Sequence, residues 1–255
     1  MIFNYNNTPI YYEVHGQGPV IVLLHGFLES STMWQPLFAT LSGKSKVIAI
    51  DLPGFGKSGC VDHTHTMEIM AEVVKSLLNH LAIEKAKIIG HSMGGYVALA
   101  LIEICNEQVE ELILLNSTSR EDSEERKTNR NRALKIINKN HVPYVQMAIN
   151  NLFQENTHEK YFLEIKKLKT EALNFQKEGI IAAIKGMRDR KDRKNVLKNF
   201  KGKKTMACGI YDPLLSYEAC KIEAFQTNCI FISLDGGHMS MVENIEDVKK
   251  ICTLS

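Results

Sequence analysis

The stretch Gly90-His91-Ser92-Met93-Gly94 decides the fold of this chain. An apolar run over residues 87–89 precedes it, and residues 95–102 have the composition of a helix. A strand, a sharp G-x-S-x-G turn and a helix together hold the serine hydroxyl above the N-terminus of that helix. Free backbone amides and the helix dipole favour a developing negative charge at that place. We therefore predict that Ser92 is a nucleophile.

Strands and helices alternate on both sides of this stretch. Residues 20–24 and 47–50 are continuous apolar runs, as expected for parallel strands that are buried on both faces. Residues 2–6 and 10–14 flank Asn7-Thr8-Pro9 and predict a β-hairpin with its turn at those three residues. Further strands are predicted at 112–115, 205–211 and 229–234, and helices at 30–41, 67–81, 216–225 and 242–252. The pattern predicts an α/β fold.

The alternation stops between residues 119 and 203. This segment is strongly charged, and its spacing of apolar residues predicts helices throughout. We interpret it as an all-helical cap inserted into an α/β core formed by residues 1–118 and 204–255. It contains Arg188, Arg190 and Arg193. These arginines either form a solvated cluster with Asp189 and Asp192, or one of them binds a substrate carboxylate.

Composition excludes several classes of function. Of the 255 residues, 44% are hydrophobic and 24% are charged, and the net charge of +2 does not suggest nucleic acid or an anionic membrane as a partner. The N-terminus lacks the pattern of a signal peptide, and no apolar run approaches the length of a membrane span. Six scattered cysteines without a C-x-x-C pair indicate a reduced protein. We expect a cytoplasmic monomer or homodimer that acts on a small molecule.

Candidate catalytic residues follow the carboxyl ends of predicted strands, where ligands bind in open parallel sheets. Ser92 needs a general base, and His238 follows the last predicted strand behind Gly236-Gly237. Asp212 closes the preceding strand and would hold His238 in the productive tautomer. Asp235, three residues before His238, is the alternative acid. The chain order serine, aspartate, histidine is the one found where the nucleophile lies on a G-x-S-x-G turn between a strand and a helix.

The oxyanion of an acyl-transfer reaction needs two backbone amides. We expect one from Met93, directly after the nucleophile, and the other from Phe27, in the loop after residues 20–24. The substrate pocket is expected to be largely apolar and to be lined by His25, Met147, Phe153 and Met239. His63 and His65 form an H-x-H pair in a polar loop, which is weak evidence for a metal, so we expect no metal ion.

Five motifs together resemble those of the α/β-hydrolase superfamily. They are His25-Gly26-Phe27, the run from Asp51 to Ser58, the run from Gly90 to Gly95, Asp212-Pro213 and Gly237-His238. They occur in the order of that family and extend over essentially the whole chain. The resemblance implies an eight-stranded, mostly parallel sheet with a helical lid and without a cofactor.

The resemblance also distinguishes subfamilies. Epoxide hydrolases and haloalkane dehalogenases carry an aspartate where this chain has Ser92, and proline iminopeptidases usually carry a tryptophan where it has Met93. Residues 24–28 and Trp34 are similar to the menaquinone-pathway synthase and to small carboxylesterases, although that synthase usually carries an arginine where this chain has Tyr96. Three hypotheses follow. The chain is a hydrolase of carboxylic esters or thioesters that forms an acyl group on Ser92, a carbon–carbon hydrolase, lyase or synthase-like enzyme that uses the same residues, or a ligand-binding receptor on this fold.

Overall fold

The computed structural model describes residues 1–253, which form one eight-stranded sheet. In chain order the strands are β1 (Ile2–Tyr5), β2 (Thr8–His15), β3 (Val20–Leu24), β4 (Lys46–Ile50), β5 (Ala86–His91), β6 (Val109–Leu115), β7 (Lys203–Gly209) and β8 (Ile230–Leu234). Their order across the sheet is β1-β2-β4-β3-β5-β6-β7-β8. Strands β3 to β8 pair in parallel, whereas β2 is antiparallel to both β1 and β4. The predicted mostly parallel eight-stranded sheet is confirmed.

Helices cover both faces of this sheet. The α-helices of residues 1–253 are α1 (Gln35–Ser42), α2 (Met67–His80), α3 (Met93–Cys105), α4 (Glu124–Lys139), α5 (His141–Asn150), α6 (Phe162–Ala172), α7 (Lys177–Arg188), α8 (Lys194–Asn199), α9 (Tyr217–Thr227), α10 (Ser240–Glu243) and α11 (Ile245–Thr253). Helices α2 and α3 bury side chains such as Leu77 and Val97 on one face, and α1 and α11 bury Leu37 and Val248 on the other. Each such side chain contributes about 1.5–3 kcal/mol of hydrophobic free energy. The central strands are continuously apolar because both of their faces are covered.

The predicted β-hairpin is present, but its predicted turn is wrong. Thr8 and Pro9 belong to β2, where they pair with Tyr5 and Asn4 of β1. The turn is Asn6-Asn7, whose φ angles are 47° and 65°. Asparagine tolerates this left-handed region, and two consecutive residues with positive φ give the tight turn whose twist matches that of paired strands. The two asparagines, and not the proline, therefore set the turn.

Residues 116–202, between β6 and β7, contain the five helices α4 to α8 and no strand. We call this stretch the helical segment. Its α6 is joined to the loop after β3, because Glu171 accepts hydrogen bonds from the hydroxyls of Ser30 and Thr32, at 2.5 and 2.8 Å. The division into a core and a cap with boundaries at 119 and 203 stays a prediction. Within residues 1–253, none of the helices is both long enough and apolar enough to cross a lipid bilayer.

Candidate active site

Ser92 occupies a sharp turn between β5 and α3. Its φ of 48° and ψ of −114° lie in a region that residues other than glycine rarely adopt. A Cβ atom on Gly90 would lie 2.6 Å from the carbonyl carbon of Gly94, and one on Gly94 would collide with the backbone of Leu24. The two glycines therefore allow β5, α3 and β3 to approach closely enough to form the turn. The hydroxyl of Ser117 donates to the carbonyl of Ser92 at 2.7 Å and supports it.

A chain of hydrogen bonds joins the three side chains that the sequence predicts to act together. The Oγ atom of Ser92 lies 2.9 Å from Nε2 of His238. Nδ1 of His238 lies 2.8 Å from Oδ2 of Asp212. Because an ionised carboxylate only accepts hydrogen bonds, neutral His238 carries its proton on Nδ1. Its Nε2 is then the acceptor for the hydroxyl of Ser92, which is the arrangement that a general base requires.

The Asp212 carboxylate is buried and held from several sides. Its Oδ1 accepts from the backbone amides of Leu214 and Leu215 at 2.8 and 3.0 Å. Its Oδ2 accepts from the side-chain amide of Asn116 at 3.0 Å, in addition to the bond from His238. Burial alone would raise the pKa of Asp212, but His238 and these donors hold that pKa below its usual value. The carboxylate is therefore ionised and fixed in orientation.

The two amides expected to bind an oxyanion lie at the ends of neighbouring strands. Met93 is the first residue of α3, where backbone N–H groups have no acceptor within the helix. Phe27 follows β3, which pairs with β5, and it lines the same cavity as Ser92 and His238. Neither amide donates to a protein acceptor among residues 1–253. Both amides are therefore available to a substrate oxygen.

A buried ion pair connects the loops on either side of Ser92. Oε2 of Glu29 accepts from the backbone amide of Gly26 at 2.6 Å and from Nδ1 of His91 at 3.0 Å. Nε2 of His91 donates to the carbonyl of His238 at 2.9 Å. Both ring nitrogens of His91 face acceptors, so its ring is an imidazolium. Burial alone would lower the pKa of His91, but the Glu29 carboxylate raises it overall, and His91 in turn lowers the pKa of Glu29 against the effect of burial.

We expect Glu29→Gln to destabilise the protein by about 3 kcal/mol, because it leaves the buried imidazolium without its counter-ion. The ion pair contributes its full stabilisation of the folded state between pH 4.5, the pKa of glutamate in the unfolded chain, and pH 6.5, the pKa of histidine in the unfolded chain. The contribution is lost as pH rises through the raised pKa of His91, or falls through the lowered pKa of Glu29. Urea unfolding of the wild type and the variant from pH 5 to 9 measures this difference.

Glu159→Gln is the matched control for this prediction, because Glu159 is exposed. Its free energy of unfolding should follow that of the wild type at every pH. A difference between Glu29→Gln and the wild type that stays constant from pH 5 to 9 would contradict the ion pair.

A cavity extends from Ser92 between the helical segment and the sheet. Its inner part, of about 60 Å³, contacts Ser92 and His238. Its outer part, of about 600 Å³, reaches Met147 on α5. Phe27, Arg126, Arg130, Leu152 and Leu214 line both parts. The two parts therefore adjoin, and a group bound in the outer part lies on the path to the nucleophile.

Three of the predicted pocket residues lie in the interior instead of on this cavity wall. His25 is fully buried; its Nδ1 donates to the carbonyl of Gly26 at 2.7 Å, and its Nε2 accepts from the amide of Leu52 at 2.9 Å. Phe153 and Met239 are buried in the apolar core. Backbone partners thus hold His25 inside the loop after β3, and core packing holds the other two. Among the described residues, the walls of both cavity parts are formed by other side chains.

The three arginines considered for a carboxylate clamp are all paired within the protein. Their partners are Asp189 for Arg188, Asp122 for Arg190, and Glu68 and Glu103 for Arg193. Only the first pair matches the predicted solvated cluster, because Arg190 and Arg193 are buried. The guanidinium of Arg190 also lies 4.2 Å from the ring centroid of Tyr96. None of the three arginines lines the cavity at Ser92, as far as the described residues show.

The remaining candidates take no part in the hydrogen bonds around Ser92. Asp235 is exposed, and the acceptor for Nδ1 of His238 is Asp212. His63 is also exposed. His65 is buried, which lowers its pKa to about 4, and its Nε2 accepts from the backbone amide of Val61 at 3.2 Å. The two histidines of the H-x-H pair are thus in different environments.

Several positioning residues were missed by the analysis of the sequence. Asn116 joins Asp212 to the carbonyl of Gly237. Oε2 of Glu243 accepts from the amides of Gly237 and Met239, both at 3.0 Å, and so holds the loop that carries His238. Asn116 follows the end of a predicted strand at the edge where ligands bind, but an uncharged amide cannot be the acid partner of His238, so the sequence did not indicate its role. No local pattern marks Glu243 or Glu29.

Comparisons with known proteins bear on the fold and the family of the chain. The sequence model of the family described as alpha/beta hydrolase fold matches residues 19–245. An esterase from Thermogutta terrifontis, solved with malate bound, is 30% identical; the match covers 96% of this chain and 92% of that one, with a TM-score of 0.90. An enol-lactonase from Burkholderia xenovorans is 23% identical, covers 99% and 98% of the two chains and has a TM-score of 0.91, which shows a common fold.

Curated relatives match over shorter stretches. The uncharacterized hydrolase YugF of Bacillus subtilis is 34% identical over 120 residues, which make up 46% of this chain and 44% of that protein. Matched mycobacterial proteins, also uncharacterized, are 36% identical over 106 residues and are covered over 31% of their length. The chain thus matches less than half the length of these relatives.

Proposed function

Because the chain belongs to the α/β-hydrolase family, we propose that it is a serine hydrolase that cleaves a carboxylic ester or thioester through an acyl group on Ser92. The observation that carries this proposal is the chain of hydrogen bonds from Ser92 through His238 to Asp212. The proposal is supported by the backbone amides of Phe27 and Met93, neither of which donates to an acceptor within residues 1–253. It is also supported by the Thermogutta relative, which is an esterase.

The proposed reaction begins when Oγ of Ser92 attacks the carbonyl carbon while Nε2 of His238 takes its proton. The carbonyl oxygen becomes an oxyanion and accepts from the amides of Phe27 and Met93, each of which contributes about 3 kcal/mol to the stability of the transition state. The ionised Asp212 stabilises the imidazolium that has formed.

The second half of the proposed reaction regenerates the enzyme. Protonated His238 gives its proton to the departing alkoxide or thiolate, and the acyl group remains on Ser92. Water then enters, loses a proton to Nε2 of the same histidine and attacks the acyl carbon. The acid is released when the proton returns to Oγ of Ser92. The family fold alone does not imply a substrate, so the claim rests on these residues.

Covalent labelling with a fluorophosphonate, together with a panel of p-nitrophenyl esters from two to eight carbons, tests the proposal. We expect fluoride to leave as phosphorus bonds to Oγ of Ser92, and a peptide containing Ser92 to carry the added mass. We also expect a burst of p-nitrophenol equal to the enzyme concentration, followed by steady turnover. Label on another serine would overturn the choice of nucleophile. Label on Ser92 without turnover of any ester would instead favour the carbon–carbon hydrolase or the receptor.

A further inference from the structure

Two arginines of α4 line the cavity where its outer part adjoins the inner part at Ser92. Arg126 and Arg130 line both parts of the cavity. They are four residues apart on one helix, so their side chains lie on the same face of α4. The sequence analysis did not select them, because it considered only the arginines near residue 190. They are the cationic side chains that the inner part of the cavity shares with the outer part.

The charges of these arginines are not fully balanced within the protein. Among the described residues, the carboxylate bonded to them is Asp122, whose Oδ1 is 3.2 Å from Nε of Arg126 and whose Oδ2 is 2.9 Å from Nε of Arg130. The same Oδ1 also pairs with Arg190 at 2.6 Å. Burial alone would raise the pKa of Asp122, but the three arginines lower it overall, so Asp122 carries one negative charge against three positive charges.

The unused hydrogen-bond donors of these arginines are the ones available to a ligand. Arg190 is buried and donates further to the carbonyls of Arg120 and Met187. Arg126 donates from Nη1 to the carbonyl of Leu214 at 3.3 Å. The two Nη groups of Arg130 have no protein acceptor among residues 1–253. A planar pair of N–H donors matches the two oxygens of a carboxylate.

Other groups on the cavity wall do not cancel this surplus. Arg132 and Glu125 also line the outer part, and both are exposed to solvent. Glu29 lines the inner part, but its charge is balanced by His91. Besides the two arginines, the side chains that line both parts of the cavity are apolar: Phe27, Leu152 and Leu214. An anion at Arg130 would therefore be joined to the reacting carbonyl by a stretch of hydrocarbon.

We propose that the substrate is an ester or thioester that carries a carboxylate on an aliphatic chain, and that Arg126 and Arg130 bind this carboxylate. The proposal rests on the proposed function, because it assumes that Ser92 attacks the ester. Beyond the proposed function, it implies that neutral esters are poorer substrates, because they lack the carboxylate that fixes the substrate in the outer part of the cavity. The arginines here are binding residues and do not touch the reacting atoms.

Matched pairs of substrates test this proposal. The first series consists of ethyl hydrogen glutarate, adipate and pimelate, each compared with its neutral carboxamide analogue. The second series consists of acetate esters of 3-hydroxypropanoate, 4-hydroxybutanoate and 5-hydroxypentanoate, again compared with their carboxamides. We expect kcat/KM for the best acid to exceed that for its carboxamide by about 10- to 100-fold in the wild type.

Arg130→Gln should remove most of this preference, and Arg126→Gln part of it. The kcat/KM for the carboxamide esters in the same variants is the reference for each ratio, so that a general loss of activity is separated from a loss of the preference for the acid. Arg188→Gln is the matched control, because Arg188 pairs with Asp189 and lies outside the cavity wall. It should keep the wild-type preference for the acid.

Two results would overturn the carboxylate site. One is equal kcat/KM for acids and carboxamides in both series, and the other is a preference for the acid that survives in Arg130→Gln. Either result, with esters still hydrolysed in a reaction that needs Ser92, would leave the proposed esterase function standing. Failure of the wild type to hydrolyse any acid, carboxamide or p-nitrophenyl ester would overturn the esterase function itself.

Discussion

Replacing Ser92 by alanine should lower kcat for a short-chain ester by about 10⁶-fold, because no other group in the site can form the acyl intermediate. The hydroxyl of Ser92 bonds to His238, and the backbone bonds that hold the turn do not involve it. The fold should therefore persist. Initial rates with purified protein measure the loss, and thermal unfolding followed by circular dichroism checks the fold.

Two further variants sharpen this result. The double variant Ser92→Ala, His238→Ala should be hardly slower than Ser92→Ala alone, because residues of one hydrogen-bonded unit do not contribute additively. Ser233→Ala, at an exposed serine of β8, should keep kcat within about twofold of the wild type. Retention of more than a few per cent of the activity in Ser92→Ala would show that another residue is the nucleophile.

The sheet was predictable because burial on both faces leaves a strong local signal. Strand β3 occupies the residues predicted for it, since Val20–Leu24 is continuously apolar and bounded by Pro19 and His25. The strand predicted at 205–211 is shifted instead: β7 is Lys203–Gly209. In the structure this strand begins with Lys203 and Lys204, whose charged side chains kept them out of a prediction based on runs of apolar residues. The position of the turn after β1 was also predicted wrongly, because proline is the stronger local turn signal and drew the prediction away from the two asparagines.

The site was predictable only where residues follow strand ends in a recognisable motif. Ser92, Asp212 and His238 satisfy this condition, and the structure brings them together. Arg190 and Arg193 were misjudged because their partners lie far away in the chain: Asp122 for the first, and Glu68 and Glu103 for the second. Arg193 is paired only when the helical segment packs against α2 and α3, whereas Arg190 pairs with a distant residue of the helical segment itself. The proposed carboxylate site likewise depends on a tertiary arrangement, because Arg126 and Arg130 share a cavity wall with Phe27 of the loop after β3.

Asp212→Asn should lower kcat by about 10⁴-fold, chiefly because the amide favours the wrong tautomer of His238. Oδ1 of Asp212 accepts from the amides of Leu214 and Leu215, so the oxygen of the new side chain would occupy that position. Its NH₂ group would then face Nδ1 of His238 and the side-chain amide of Asn116, both of which are donors to Oδ2 in the wild type. Nδ1 of His238 would have to accept instead.

With Nδ1 as an acceptor, the proton of neutral His238 moves to Nε2, which can no longer take the proton of Ser92. The unmatched donor of Asn116 should also lower the free energy of unfolding by about 1–3 kcal/mol. KM should change far less than kcat, because Asp212 does not line the cavity. Steady-state kinetics and urea unfolding of Asp212→Asn measure both effects. Asp235→Asn, at an exposed carboxyl after β8, is the matched control and should change neither; a larger loss of kcat in that variant would transfer the role of the acid to Asp235.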